Sequence, residues 1–334
     1  MNKLVIVVAL LGAVHVILAA GCGGTSDASG SGSGATKLSL AAYSTPREAY
    51  AELIRAFAKT AEGRGVSISQ SYGSSGEQSR AVESGLPADV VAFSLEPDVT
   101  RLVEAGIVAA DWASDEHDGM VTDSVVVFAV RKGNPKRIRD WDDLVRDGVE
   151  VITPNPFTSG GARWNVMAAY GAQLKQGKSK EQAVQYLREL FANVTVQDKS
   201  ARESLQTFSS GKGDVLIAYE NEAITAQQAG QALDYVIPDQ TILIENPVAV
   251  TKDAPGQAQA FVDFLRTPDA QRVFAEKGYR SILPEVVDER RYPTPATLFT
   301  IADLGGWETV QTEFFDRDDG VFAAIQRELG APLE

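Results

Sequence analysis

What most restricts the fold of this chain is an alternation. From residue 37 onward, short apolar or β-branched runs take turns with stretches whose apolar residues recur at helical spacing. "KLSLAAYS" reads as a strand, and "REAYAELIRAFAKTAEG" reads as a helix with Ala49, Leu53 and Phe57 on one face and Gly63 past its end. "VSISQSY" is a strand by β-branched alternation, and "ADVVAFS" is a buried one. "DSVVVFAVRKGNP", "EVITPNP", "GDVLIAY" and "DYVIPDQTILIENPVAV" continue the series, and "QAQAFVDFLRTPDAQRVFAEKGY" supplies helices. Strand–helix–strand order implies parallel sheets with helices on their faces, an α/β architecture. "DSVVVFAVRKGNP" is long for its surroundings, as a strand passing between two lobes would be. A chain of 334 residues has enough length for two domains that each bury a core. No internal repeat is evident.

Ahead of this pattern lies a targeting segment. Lys3 precedes an apolar run over residues 4–18, and Ala19, Ala20 and Gly21 put small residues directly before Cys22. That is the layout of a secretory signal, and it is too short to favour a spanning helix. "LAAGC" resembles the lipobox of bacterial lipoproteins, with Ala19 where leucine is usual. On that reading residues 1–21 are removed, and Cys22 becomes a lipid-bearing first residue. "GGTSDASGSGSGA" then serves as a flexible tether within residues 22–36, between the membrane and the folded part.

Several chemistries are excluded by what the mature chain lacks. Cys22 is the only cysteine, and once His15 leaves with the signal only His117 remains, in the polar stretch "DEHDGM" that reads as a solvated loop. A structural zinc site wants clusters of Cys and His, and a serine triad needs a histidine beside its serine. The chain contains no G-x-S-x-G elbow, no G-x-x-x-x-G-K-[ST] and no metal-spaced carboxylate set. "DRDDG" at 316–320 lacks the alternating spacing of a calcium loop and reads as a turn. No cofactor and no metal are expected. The formal net charge of −14 argues against nucleic acid as a partner, because duplex binding is driven by Lys and Arg neutralising phosphates. For a small anion the same charge matters less, since the screening length at physiological salt is about 8 Å.

One pattern recurs where strands give way to helices. After "VSISQSY" come Gly73, Ser74, Ser75 and Gly76, and Ser75 with Gln78 has capping-box spacing. After "EVITPNP" come Thr158, Ser159, Gly160 and Gly161, with Ser159 as the expected cap. After "VTVQDK" come Ser200 and Ala201, and Ser200 with Glu203 again has capping-box spacing. A capping serine is by itself an ordinary device. Three of them at the carboxyl ends of strands stand where open α/β sheets bind ligands. Each helix start offers unpaired N–H groups and a partial positive charge of about half an electron. Gly160 and Gly161 lack a Cβ, so an oxyanion can approach their amides, and the hydroxyl of Ser159 can also donate.

The blocks "PNPFTSGGARWN", "RKGNPKRIRDWDDL", "GDVLIAYENEA", "ENPVAV" and "LFTIADLGGW" resemble the sulfate-binding proteins of bacterial ABC importers, in the thiosulfate- and sulfate-binding family. The resemblance runs from about Leu38 to Phe322. It implies a two-lobe periplasmic-binding-protein-like (type II) fold, with a hinge and a ligand cleft between lobes, lobe 1 comprising residues 37–124 and 249–334 and lobe 2 residues 125–248. It also implies dehydrated sulfate held without charged side chains. On that basis Ser75, Gly160, Gly161 and Ala201 would give backbone amides and Ser159 its hydroxyl.

The family's "LIAWENEA" contributes an indole N–H. Tyr219 stands in its place here, and a phenol O–H can donate one bond instead. Ser44 replaces an acidic residue of the family's "SYDPTRE", and Ser74 replaces a glycine. Ser44, Ser74, Asp198 and Arg202 are expected around the site rather than on the ligand, with Asp198 ordering its loop or accepting from Arg202. No carboxylate stands inside the first two anion motifs, which favours unprotonated sulfate over phosphate.

The expected protein is a monomeric, lipid-anchored receptor on the outer face of the cytoplasmic membrane. It would present sulfate, or thiosulfate, to an ABC permease and catalyse nothing. Two alternatives stay open at this point: a receptor for molybdate or another tetrahedral oxyanion, and a sulfuryl- or phosphoryl-transfer enzyme on the same scaffold.

Overall fold

Buried strands that alternate their side chains between two faces account for most of this architecture. The computed structural model describes residues 36–333; the signal segment, Cys22 and the tether up to residue 35 lie outside the described residues, and Thr36, expected as the tether's last residue, instead opens the first strand. The first elements are β1 (Thr36–Tyr43), α1 (Arg47–Phe57), β2 (Val66–Gly73), α2 (Ser75–Glu83), β3 (Val90–Ala92) and α3 (Glu96–Glu104). Then come β4 (Met120–Arg131), β5 (Val151–Pro154), α4 (Gly160–Lys175), α5 (Lys180–Ala192), β6 (Val194–Asp198), α6 (Ala201–Ser209), β7 (Val215–Tyr219), α7 (Glu220–Gln228), β8 (Leu233–Val236) and β9 (Gln240–Val250). The chain closes with α8 (Gly256–Leu265), α9 (Pro268–Glu276), β10 (Thr297–Phe299), α10 (Gly306–Phe315) and α11 (Val321–Glu328).

The strands order as β2-β1-β3-β9-β4-β7-β5-β6, with β10 beside β9 and β8 beside β4. β1 runs parallel to β2 and β3, and β5 runs parallel to β6 and β7, as the strand–helix–strand order requires. β9 and β4 join these two parallel groups. β9 pairs antiparallel with β3 through Val248 to Val250 and with β4 through Leu243 to Pro247. The far half of β4, Val126 to Val130, pairs with β7. The long strand foreseen over residues 123–135 is therefore a connector between the two groups.

Each parallel group has helices on both faces and its own cores. Leu38, Leu40 and Ala42 of β1 face Tyr50, Leu53 and Phe57 of α1 and Phe261 and Phe274 of α8 and α9. Ala41 points the other way, to Val82, Val91, Val99 and Leu102. In β4, Val126, Phe128 and Val130 join Trp141, Trp164 and Tyr170, while Val125, Val127 and Ala129 join Ile152, Phe208 and Leu216. Strands buried on both faces read as continuous apolar runs, and each fully buried Val, Leu or Phe contributes roughly 1.5–3 kcal/mol. This is the two-lobe α/β architecture.

Residues 249–334, expected as one piece of lobe 1, divide between the cores. α8 and α9 pack with β1. β10, α10 and α11 instead bring Phe299, Trp307, Val310, Phe314, Phe315 and Phe322 onto the cluster of Trp164 and Tyr170. Trp307 meets Trp164 edge-on, with ring centroids 4.7 Å apart. The helix that receives them, α4, buries 13 of its 16 residues, so it is a central element enclosed on nearly all sides. Gly171 in α4 allows this, because a Cβ there would stand 2.2 Å from the Phe299 ring.

Candidate functional site

Parallel register brings the carboxyl ends of the strands together. Tyr43 pairs with Gly73 and Ala42 with Ala92, so Ser44, Ser74 and Ser94 follow β1, β2 and β3 at one edge. Pro154 pairs with Asp198 in the other group, so the segments leading into α4 and α6 also emerge side by side. Four helix starts, those of α2, α4, α6 and α7, converge on one small cavity. Ser75, Ser159, Gly161, Ala201 and Tyr219 all line it, as do Ser44 and Ser74, which the sequence reading had placed farther out.

At α2 the cap differs from expectation. Ser74 is the N-cap by backbone conformation, and its hydroxyl donates to Glu77 at 2.7 Å. Ser75 already lies in the helix. Its hydroxyl donates to Asp98 at 2.5 Å and accepts from the Ser94 amide at 3.0 Å. The buried acceptor Asp98 is why Ser75 does not cap: its side chain turns away from the first turn, and its own amide has no intrahelical acceptor.

The proline-bracketed turn before α4 is pinned at several points. The Asn155 side chain accepts from the Phe157 amide at 2.8 Å and donates to the Pro332 carbonyl at 3.0 Å. The Thr158 hydroxyl donates to the Lys199 carbonyl at 2.8 Å, which ties this turn to the next. Ser159 is the N-cap as foreseen, but its hydroxyl takes no backbone amide and borders the cavity.

The two glycines have different surroundings. A Cβ on Gly161 would make ordinary contacts with the Ser159 hydroxyl, the Tyr219 ring and Ala201 at 3.5–3.6 Å, so this Cα faces the cavity. A Cβ on Gly160 would meet Leu95 and Ser94 at 2.8–2.9 Å. Gly160 is therefore the point where α4 touches the turn after β3.

At α6, Ser200 accepts from the Glu203 amide at 3.3 Å, and Glu203 reaches back to Lys199 rather than to the cap itself. Asp198 accepts from Ser204 at 3.0 Å and Thr207 at 2.9 Å, so it braces the helix and does not pair with Arg202. Arg202 points to α1. Its guanidinium donates twice to Glu48, at 2.8 and 2.6 Å, and once to the Ser44 carbonyl at 3.3 Å.

The α7 start escaped the sequence reading, because Tyr219 is not a capping residue type. Tyr219 is 2% exposed, and its hydroxyl lies 2.6 Å from that of Ser94. Burial holds the phenol pKa well above its ordinary value, so it stays a neutral donor. Its amide donates to Glu222 at 3.2 Å, and burial pushes that carboxyl up to about 7. Glu220 beside it is fully buried and bound to Arg280 at 2.7 and 3.1 Å. Burial likewise raises Asp98, while the neighbouring Arg163 pulls it back. Tyr43, Thr45, Ser94 and Ser200 are the other hydroxyl-bearing residues at the cavity. A polar residue ending the apolar run "ADVVAFS" was the signal available for Ser94.

Such a cavity offers hydroxyls and helix-start amides, which suit a small anion without a counter-charge. The pattern of a family described as bacterial extracellular solute-binding proteins matches residues 38–280. The chain belongs to that family. A sulfate-binding protein of Synechococcus elongatus is 45% identical over 333 residues, covering 96% of this chain and 95% of that one. A thiosulfate-binding protein of Escherichia coli is 39% identical, covering 84% and 88%. Among solved structures, the sulfate-binding protein SubI of Mycobacterium tuberculosis superposes with a TM-score of 0.82 at 46% identity, covering 84% of this chain and 100% of that one. The family drawn from "PNPFTSGGARWN" is thus the one to which this solute-binding protein is related along nearly its whole length.

Proposed function

We propose that this solute-binding protein captures sulfate, with thiosulfate as a second ligand, and hands it to an ABC permease. It acts as a monomer tethered outside the cytoplasmic membrane by a lipid on Cys22, and it performs no chemistry on its ligand. The observation that carries the reading is the convergence of four helix starts and several serine hydroxyls on one cavity. The names of the sulfate- and thiosulfate-binding relatives support it. Ligand donors on this reading are the amides of Ser75, Gly160, Gly161 and Ala201 and the hydroxyls of Ser159 and Tyr219.

The nearby carboxyls are turned to other partners, Asp98 to Ser75, Glu77 to the Ser74 hydroxyl and Glu222 to the Tyr219 amide, and none of the three lines the cavity. Sulfate needs no acceptor at neutral pH, whereas hydrogen phosphate does, so the arrangement favours sulfate. Each hydrogen bond to the charged ligand is worth roughly 1.5–3 kcal/mol net, and several suffice for a micromolar complex at about 8 kcal/mol. The lobes would meet at β4 and β9, with residues 37–124 and 249–296 in one. Residues 125–248 would form the other, joined by the C-terminal helices that pack on it.

Isothermal titration of the dialysed protein against sulfate, thiosulfate, molybdate and phosphate tests the assignment. Micromolar or tighter sulfate binding with phosphate silent is expected. A preference for molybdate, or silence toward all four, would overturn it.

A further inference from the structure

Ser94 has no role in the donor set above, yet its main chain is fixed from three sides. Its amide donates to the Ser75 hydroxyl at 3.0 Å. Its carbonyl accepts from the Trp164 indole at 2.8 Å and from the Asn246 side chain at 3.0 Å. The side chain thereby stands at a set place, 2.6 Å from the Tyr219 hydroxyl, with the two residues 1% and 2% exposed. Ser94 follows β3 in one parallel group, and Tyr219 ends β7 in the other. The contact therefore links the two groups at the cavity that both residues line.

Two hydroxyls in contact hold two protons, and only one can lie between the oxygens. The hydroxyl that accepts keeps its own proton for another partner, and accepting makes it a stronger donor. A phenolic O–H turns about its C–O bond, so a tyrosine presents a proton in a fixed direction only when something settles that rotation. We infer that Ser94 is the positioning residue for Tyr219. Ser94 donates to the phenol oxygen, and the phenol proton, the more acidic of the two, is turned into the cavity toward a tetrahedral oxyanion. The inference rests on the reading of the cavity as an oxyanion site and adds a Ser–Tyr pair that works as one donor spanning the cleft.

The test is a double-mutant cycle on the full protein with sulfate as the probe. Affinity comes from titration calorimetry, and dissociation rates come from stopped-flow tryptophan fluorescence. Ser94→Ala is expected to weaken binding roughly three- to tenfold, about the size of one neutral hydrogen bond, chiefly through faster release. Tyr219→Phe should weaken it tenfold or more, and the double variant should match Tyr219→Phe within twofold. Losses that multiply in the double variant, or an unchanged affinity in Ser94→Ala, would overturn the pairing. Ser94→Cys keeps the volume with a weaker donor and guards against a packing effect; it should fall between wild type and Ser94→Ala, and wild-type affinity there would also count against the inference. Wild-type protein that binds no tetrahedral oxyanion would sink the function itself, whereas binding with a multiplicative cycle would sink only the role of Ser94.

Discussion

Gly161→Ala isolates ligand contact from folding. The atoms nearest to a Cβ at this position are the Ser159 hydroxyl, the Tyr219 ring and the Ala201 Cβ, all at 3.5–3.6 Å, so the fold accepts the methyl without displacement. Position 161 lies in the first turn of α4, and alanine there is favoured over glycine by up to about 1 kcal/mol. Stability should therefore hold or rise. The methyl nonetheless stands over the amides at the α4 start, inside the small cavity that Gly161 lines. Loss of one or two hydrogen bonds to a charged ligand, at roughly 1.5–3 kcal/mol each, corresponds to a drop in affinity of about tenfold to about twenty-thousandfold. Calorimetric titration with sulfate alongside a thermal melt reads both quantities. Wild-type affinity in a folded Gly161→Ala protein would refute the placement of the ligand against α4.

Arg202→Ala should cost less than about 1 kcal/mol of stability, because the Arg202 and Glu48 side chains are 32% and 44% exposed. It should nevertheless speed ligand release several-fold at low salt, an effect that fades near 1 M salt, where screening falls to about 3 Å; an equal effect at both salts would contradict the assignment. Glu222 is raised by burial from 4.5 to about 7, so its contribution to stability is fully present below about pH 4.5 and is lost as pH rises through about 7. At about 1.4 kcal/mol per unit this amounts to about 3 kcal/mol, and Glu222→Gln should flatten the difference in urea midpoints between pH 5 and pH 8; an undiminished difference would assign the slope elsewhere. Trp307→Ala removes the ring packed against Trp164 and should cost about 3–5 kcal/mol, visible as a lowered melting temperature; a shift of a degree or less would mean that α10 is not integral to that core.

Periodicity carries the elements well because it reports burial directly. Leu38, Leu40 and Ala42 alternate with Ser39 and Ala41 as their two cores require, and the serines before α4 and α6 stand at their caps. Assembly is less legible. Nothing in the apolar face of α10 says which of two similar cores it covers, and the tie is settled by Trp164 and Tyr170 on α4. α5 carries a complete capping box, Ser179 with Gln182, and was open to recognition by that signal. At the site, residues sharing a motif were found together. Ser94 was not, because its partner Tyr219 lies 125 residues away and the two meet only through strand order.

Gly160 has a use beyond recognition. It is the one place in the first turn of α4 where a single missing carbon lets the helix rest on Ser94 and Leu95, at what would be 2.8–2.9 Å from a Cβ. A graded series of side chains there would act as wedges of known thickness between the halves of the molecule. With a fluorophore reporting their separation, the same position becomes a ruler for how far the two halves can be held apart before the ligand is lost.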